Sequence, residues 1–547
     1  MYSSGWTIWN TSMSNSTLNV ALPSLIRRCA ALPKGAASIA GLALCAALLA
    51  ACGGGGGGDG SAPAPIAFAI PPSAQFKGTL VNLATGAGAL AGDWSAATCT
   101  DNRQKNWVRS FLNENYLFYR EAPLISVDPN TYTGTVENLF AAYTTGGVPA
   151  KDRFSFVLTQ AAADGTFQSG STTDVGFKLR RDTSVVDGSG RGIIRIAYVE
   201  PNGPAAAAGF ARGMVLASVD GVATAFSLPT ALFDKLFNSA AGTSSTVGVQ
   251  DTINGPIRFL TVATAAFSTT PLLLDRVLPG TTTGYLAFNS FASPIGEKQL
   301  ADAFQRFAAA GATELVVDLR YNGGGYIDIA SELGYMVAGQ IQTSGKIFES
   351  LVYNDKRTSS NNSIPFASTI TGFFGNSPVG QPFAALNLRR VYVLSTGSTC
   401  SASESFISGL RGIDVEVIQI GGTTCGKPYG FSQTNNCTLS YFALEFEGRN
   451  NKGVVTPVTG ITPTCAANDD FNHALGDPAE RLLATALSYQ ASGACVVIAA
   501  AQPSPLALSL GSAQRLGLAP QNGNALNADM EFMARPAESA KLYRGAK

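Results

Sequence analysis

Three apolar runs in the C-terminal half, each ending in a small polar or glycine-rich cluster, constrain most strongly what this chain can fold into. Leu315-Val316-Val317-Asp318-Leu319, Val391–Leu394 and Val415–Ile420 are nearly continuous in hydrophobicity. That pattern suits parallel strands buried on both faces better than strands with one wet side. Tyr285-Leu286-Ala287-Phe288 reads as a further short strand. After it, Leu300, Ala303, Phe304 and Phe307 line one face of a helix that ends at Gly311. Strands alternating with helices predict an α/β region around a parallel sheet, and such sheets gather reactive groups at the ends of their strands.

Three clusters stand at those ends. The first is Asp318-Leu319-Arg320-Tyr321-Asn322-Gly323-Gly324-Gly325. Its glycines permit a tight turn whose backbone N–H groups approach a substrate oxygen closely, although a glycine-rich strand end is also an ordinary turn. The second is Ser398-Thr399-Cys400-Ser401-Ala402-Ser403-Glu404, leading into a helix that carries Phe406, Ile407 and Leu410. Ser401 and Glu404 fit a capping box, in which the hydroxyl does no chemistry. The same position suits a nucleophile, because a helix N-terminus stabilises developing negative charge. The third is Gly421-Gly422-Thr423-Thr424-Cys425-Gly426-Lys427-Pro428-Tyr429-Gly430-Phe431. Pro428 after Lys427 breaks the phosphate-binding loop pattern, which needs Ser or Thr there. A buried lysine held neutral can serve as a general base, which a serine hydroxyl needs to attack an amide.

Taken together, the clusters resemble the C-terminal processing peptidases, or tail-specific proteases. That family carries a serine in a T-x-S-A-S-E segment and a lysine in a later G-K segment. Thr399-Cys400-Ser401-Ala402-Ser403-Glu404 matches the first and Gly426-Lys427 the second, with 427 − 401 = 26 residues between serine and lysine. Asp318 to Gly325 corresponds to the family's D-L-R-x-N-x-G-G segment. The resemblance spans about residues 100–490. It implies Ser401 as nucleophile, Lys427 as general base and later acid, and an oxyanion hole from the N–H groups of Ala402 and of Gly324 or Gly325. Many relatives orient the lysine with a glutamine four residues on, where this chain has Phe431. Gln433 and Glu404 are the candidate substitutes.

Upstream, Val175-Gly176-Phe177-Lys178-Leu179 precedes the β-rich Ile193–Val199 and the turn Pro201-Asn202-Gly203-Pro204. A short helix Ala205–Ala208, a strand Val215–Val219 and the turn Asp220-Gly221 follow. This order resembles a PDZ domain, which captures a peptide's terminal carboxylate on backbone N–H groups while the peptide adds as a strand. Gly176, Phe177, Lys178 and Leu179 would form that carboxylate loop. Before it, Trp107, Val108, Phe111, Leu112 and Leu117 follow helical spacing, and Val136–Tyr143 reads as a second helix.

The N-terminus addresses the chain. Arg27, Arg28 and Lys34 precede the short apolar stretch Gly35–Ala51, the layout of a secretory signal. Leu49-Ala50-Ala51-Cys52 resembles the bacterial lipobox, which implies lipid attachment at Cys52, and Gly53–Gly58 form a six-glycine tether. Six further cysteines, Cys99, Cys400, Cys425, Cys437, Cys465 and Cys495, allow up to three disulfides in an exported protein, with fifteen connectivities open. The expected setting is the bacterial cell envelope, lipid-anchored and facing the periplasm, with the outer membrane favoured over the inner.

Charge excludes other classes. With 37 basic and 37 acidic side chains, the chain lacks the basic excess of a nucleic-acid binder. One histidine, His473, excludes most histidine-rich metal sites and argues against a histidine base; no cofactor or metal is expected. The expected fold class is multidomain α+β: a signal peptide over 1–51, a linker over 52–89, a small N-terminal helical domain over 90–170, a PDZ-like β-rich domain over 173–265, an α/β catalytic core over 266–497, and an unassigned tail over 498–547. The expected function is a serine endopeptidase acting on polypeptides with free C-termini. The alternative is a catalytically silent lipoprotein that only binds peptide ends.

Overall fold

The structure, a computed structural model, describes residues 70–82, 92–372 and 378–496, together with the backbone of Lys541–Leu542. The chain divides into two units, Met1–Ala67 and Phe68–Lys547, and everything described here belongs to the second. The signal, the lipidation cysteine Cys52, the glycine tether and nearly all of the tail lie outside the described residues. No helix among the described residues is long and apolar enough to cross a membrane.

The central sheet has six strands in the order Leu272–Val277, Thr283–Phe288, Glu314–Asp318, Arg390–Ser395, Glu416–Gly421 and Cys465–Ala466. The first pair is antiparallel and the others are parallel. Alternate residues serve opposite faces, as strand geometry requires. Leu286, Phe288, Leu315, Val317, Val391 and Val393 pack into the cluster that holds the helices Ile295–Ala309, Ile327–Thr343 and Ala402–Gly412. Tyr285, Val316, Tyr392, Leu394, Ile418 and Ile420 pack on the other face against Leu482, Leu483 and Ala486 of the helix Arg481–Ser492. The sheet is therefore covered on both sides, which is why its strands read as unbroken apolar runs. In the helix Ile295–Ala309, Glu297 in the first turn and Arg306 in the last complement the helix dipole.

A second sheet, antiparallel, runs Arg258–Ala263, Ser244–Gln250, Val215–Val219, Gly192–Val199, Phe177–Val186, with the helices Pro204–Ala207 and Thr230–Phe237 beside it. Asp220 and Gly221, both at positive φ, make the two-residue turn joining Val215–Val219 to Val222–Ala223. Phe177–Val186 is the outermost strand of this sheet.

The helices Asp101–Asn115 and Val136–Tyr143 have no separate core. Trp107, Phe111 and Phe140 pack on Tyr441, and their cluster includes Phe431 and Leu439–Leu444. The strand Phe156–Thr159 pairs with Leu439–Phe442, and the disulfide Cys99–Cys437 joins the same two regions. Residues near 100–160 thus fold onto the late segment around Phe431–Leu444, a long-range pairing that no local periodicity encodes.

A buried ion network anchors the loop after Glu314–Asp318. The Arg320 guanidinium bonds Asp318 at 2.8 Å, Glu480 at 2.7 Å and Asp469 at 2.8 Å. Arg212, from the second sheet's region, bonds Asp469 at 3.0 Å and Tyr321 Oη at 2.5 Å. Burial raises the Asp469 carboxyl, but Arg212 and Arg320 outweigh it and hold that group at about 2.

Candidate active site

Ser401 stands where the strand Arg390–Ser395, after a short loop, turns into the helix Ala402–Gly412. Its backbone has φ 62° and ψ −116°, a conformation that a residue with a Cβ rarely adopts. A strained strand-to-helix turn is the means by which serine hydrolases present their nucleophile. Ser401 and Glu404 occupy capping-box positions, and the Glu404 carboxylate accepts the Ser401 N–H at 2.9 Å. Ser401 Oγ, however, is buried with no hydrogen-bond partner among the described residues. Other buried side-chain atoms among the described residues share that state, and Ser401 differs from them in standing on the strained turn at a helix N-terminus. The side chain stands at the capping position but makes no capping hydrogen bond.

The loop before Ser401 is stitched to the glycine-rich turn. Thr399 Oγ1 donates to the Leu319 carbonyl at 2.8 Å, and Cys400 N–H and Ser403 Oγ both donate to the Asn322 carbonyl, at 3.1 and 3.0 Å. Asn322 Nδ2 in turn donates to the Phe288 carbonyl at 2.9 Å. These bonds fix the Ser401 segment against the turn.

Of the two glycines expected to supply an oxyanion donor, Gly324 has its N–H taken by Asn322 Oδ1 at 2.9 Å. That donor is engaged, and of the two expected glycines Gly325 is the remaining candidate. Phe291 N–H bonds the Gly324 carbonyl and Tyr326 N–H bonds the Phe291 carbonyl, which leaves the N–H and C=O of Gly325 on the opposite edge. On that edge Gly325–Tyr326 pairs in parallel with Lys541–Leu542 of the same chain. Gly325 has φ 136°, and a Cβ there would lie 2.0 Å from Ala292 N. The first N–H groups of the helix, that of Ala402 among them, have no intrahelical acceptor and are the second source of donors.

Lys427 is fully buried. Its Nζ sits 4.2 Å from the Phe431 ring centroid and 5.1 Å from that of Phe154. Phe431, in the place where the resemblance leads one to expect glutamine, is thus a wall of the lysine's pocket. Gln433, the suggested substitute, does not orient Lys427: its amide bonds Asp164, Asn435 and Ser440, each within 3.2 Å. Glu404 does bear on the lysine, through the backbone. Oε2 accepts the N–H groups of both Ser401 and Lys427 at 2.9 Å, and Oε1 accepts Gly426 N–H at 2.9 Å and Thr424 Oγ1 at 2.5 Å. One carboxylate therefore ties the Ser401 turn to the lysine loop, and the disulfide Cys400–Cys425 spans the same two segments.

A cleft of about 990 Å³ opens beside these groups, lined by Phe154, Tyr198, Phe233, Gly323, Cys400 and Cys425 among others. Lys178 also lines it, and the other residues of the expected carboxylate loop are placed differently. Gly176 donates its N–H to Asp174 Oδ1 at 2.6 Å, so that donor is spent within the loop. Phe177 and Leu179 are core residues of the second sheet. His473 lies in a loop, hydrogen-bonded to Asp470 Oδ2 at 2.7 Å.

A strained serine with an orphaned hydroxyl at a helix N-terminus, tied by one carboxylate to a buried lysine, defines a hydrolase of the nucleophilic-serine class. Residues 282–461 match the sequence model of Peptidase family S41. No curated protein matches the sequence. Among solved structures, the chain is similar to a candidate S41 protease from Bacteroides fragilis NCTC 9343, with 24% identity over 71% of this chain and 97% of that one, at a TM-score of 0.56. The two share a fold. The photosystem II D1 C-terminal processing protease (17% identity, 69% of this chain and 95% of that one, TM-score 0.43) and mature CPAF complexed with lactacystin (10%, 68% and 94%, TM-score 0.39) are more distant.

Gly325→Ala tests the glycine turn. The added Cβ cannot fit beside Ala292, so the turn must shift and its donor with it. Peptidase activity is expected to fall by at least about 100-fold, the cost of one lost oxyanion donor, when initial rates are compared with the unaltered chain.

Proposed function

We propose that the chain is an endopeptidase that hydrolyses polypeptides selected through their C-terminal ends, by a Ser–Lys acyl-enzyme mechanism. The observation that carries this reading is Ser401: a buried, unpartnered hydroxyl on a strained turn, joined through Glu404 to the loop that carries Lys427. Ser401 Oγ attacks the scissile carbonyl carbon while Lys427 Nζ takes its proton. The N–H groups of Ala402 and Gly325 receive the carbonyl oxygen as it becomes an oxyanion, each worth about 3 kcal/mol of barrier. Collapse breaks the C–N bond, and Lys427 returns the proton to the departing amine. Water then attacks the ester with Lys427 again as base, releasing the acid and restoring Ser401.

Selection of chain ends is supported by the antiparallel second sheet, whose outer strand pairs on one side only among the described residues. Its outermost strand Phe177–Val186 offers an edge to which a peptide can add, and Lys178, ion-paired with Asp174 at 3.4 Å, lies at the cleft. The glycine turn supports peptide binding too, since Gly325–Tyr326 already accepts a strand, that of Lys541–Leu542. Export to an oxidising compartment is supported by three disulfides, Cys99–Cys437, Cys400–Cys425 and Cys465–Cys495. Lipid attachment at Cys52, with the folded unit facing the periplasm, completes the proposal.

The test is cleavage of an unfolded polypeptide with an apolar C-terminus, supplied with either a free or an amidated end. The free end is expected to give the higher kcat/KM, and Lys178→Ala to narrow the difference. Equal rates for both ends would remove the selection step while leaving the peptidase. No cleavage at all, with retained binding of the free end, would instead favour a silent peptide-binding protein.

A further inference from the structure

Cys400 immediately precedes the nucleophile, and Cys425 lies two residues before the base. Their disulfide holds the two Cα atoms 5.1 Å apart. Around it the backbones are joined by Cys425 N–H donating to the Thr399 carbonyl at 3.0 Å, and by Cys400 N–H donating to the Asn322 carbonyl at 3.1 Å. The Cys425 carbonyl is in turn gripped by Arg153 at 2.6 Å. The bridge therefore sits where the nucleophile loop, the lysine loop and the glycine turn meet. Unlike a bridge hidden in a core, it faces the cleft: both cysteines line the cavity, and Cys425 is only partly buried. The other two bridges join segments elsewhere. Cys99–Cys437 ties the N-terminal helices to Cys437, and Cys465–Cys495 ties the edge of the central sheet to the end of the last helix.

We propose that the Cys400–Cys425 disulfide is a reducible positioning clamp for the Ser401–Lys427 pair, so that a dithiol entering the cleft switches the peptidase off and reoxidation switches it on. The inference rests on the Ser–Lys reading above. Glu404 and the Cys425 N–H bond to the Thr399 carbonyl also join the two loops, but hydrogen bonds tolerate small shifts and the covalent bridge does not. In the reduction, a thiolate of the dithiol attacks one bridge sulfur, the S–S bond breaks and the other sulfur leaves as a thiolate. The second thiol of the reagent then attacks the mixed disulfide. The protein disulfide gains two electrons and two protons to become two thiols, and the dithiol is oxidised to its own disulfide. The reductant is thus a dithiol of the dithiothreitol or thioredoxin type, small or extended enough to reach the cleft.

The acylation step depends on the placement of Oγ against Nζ, and a displacement near 1 Å costs about 100-fold in rate. Substrate capture rests on the cleft walls and should change little. The experiment uses the full chain, with kcat and KM measured oxidised, after dithiothreitol treatment, after reoxidation, and after bridging the reduced pair with a one-carbon thioacetal that dithiothreitol cannot cleave. Circular dichroism and phosphonate labelling of Ser401 accompany each state. The expected result is a fall in kcat of about 100-fold on reduction with KM unchanged, slower labelling, an unchanged spectrum, and recovery on reoxidation or bridging. Cys99→Ser/Cys437→Ser should respond to dithiothreitol as the unaltered chain does. Cys400→Ser/Cys425→Ser should be slow and indifferent to it. Equal kcat in the oxidised and reduced states overturns the clamp, as does loss of activity accompanied by loss of secondary structure. Ser401→Ala separates the two levels: if it still cleaves, the Ser–Lys reading fails, whereas an inactive Ser401→Ala beside a dithiol-insensitive parent removes the clamp alone.

Discussion

Ser401→Ala is expected to remove peptide hydrolysis, lowering kcat by about 10⁶-fold, while leaving the melting temperature where it is. Most buried polar side chains cannot be cut back so freely, because their partners are left unpaired. Ser401 Oγ has no such partner among the described residues, so the fold loses no hydrogen bond with it. Ser401→Gly should go further and raise the melting temperature, since a backbone at φ 62° with a Cβ costs about 1–3 kcal/mol. Thermal unfolding beside a peptide-cleavage assay reads both effects. If Ser401→Ala kept full activity, the nucleophile would have to be sought elsewhere. If it lost stability as well, the hydroxyl would have a structural role that the geometry does not show.

Lys427→Met carries the second large effect. Methionine has nearly the length and volume of lysine and suits a pocket walled by Phe154 and Phe431, so the fold should tolerate it. The proton acceptor is gone, and kcat is expected to fall by about 10⁴-fold. Lys427→Ala should lose as much activity and, in addition, about 2–5 kcal/mol of stability, because it leaves a cavity under the two rings. The contrast separates chemistry from packing: both variants are inactive, but only alanine melts early. A Lys427→Met protein that still cleaves peptides would remove the lysine from the mechanism.

The two residues that these predictions turn on were legible in the sequence for a local reason. Ser401 and Lys427 each follow a buried parallel strand, and such strands announce themselves as unbroken apolar runs closed by small polar residues. The strands near Leu315, Val391 and Val415 were legible on the same grounds, and Val136–Tyr143 was legible as a helical stretch, with strand boundaries moved by a residue or two where the end turns are set by packing. The helix Arg481–Ser492 escaped notice although it covers one face of the central sheet. Its apolar side, Leu482, Leu483 and Ala486, is narrow and acquires meaning only against Ile418 and Ile420.

Partners distant along the chain were not legible. Gln433 looked able to serve Lys427 because it lies six residues away, yet it turns to Asp164 and Ser440, while Phe154, which is 273 residues before Lys427 in sequence, supplies the pocket wall. Glu404 read as a helix cap is half the truth: it does take the Ser401 N–H, and its other lone pairs reach Thr424, Gly426 and Lys427. The three disulfides, left among fifteen connectivities, join cysteines 25 to 338 residues apart.

By itself, then, the sequence determined the parallel sheet, the serine at one strand end and the lysine at the next, because burial on both faces and a tight turn are properties of a few consecutive residues. Only the tertiary structure decided that Gly324 has its N–H taken by Asn322 while Gly325 lies on the edge paired with Lys541–Leu542, that aromatic rings flank the lysine, and that one carboxylate and one disulfide tie the serine and lysine loops together. Those are outcomes of long-range packing, in which a side chain's partner is chosen by where the whole sheet brings the chain back.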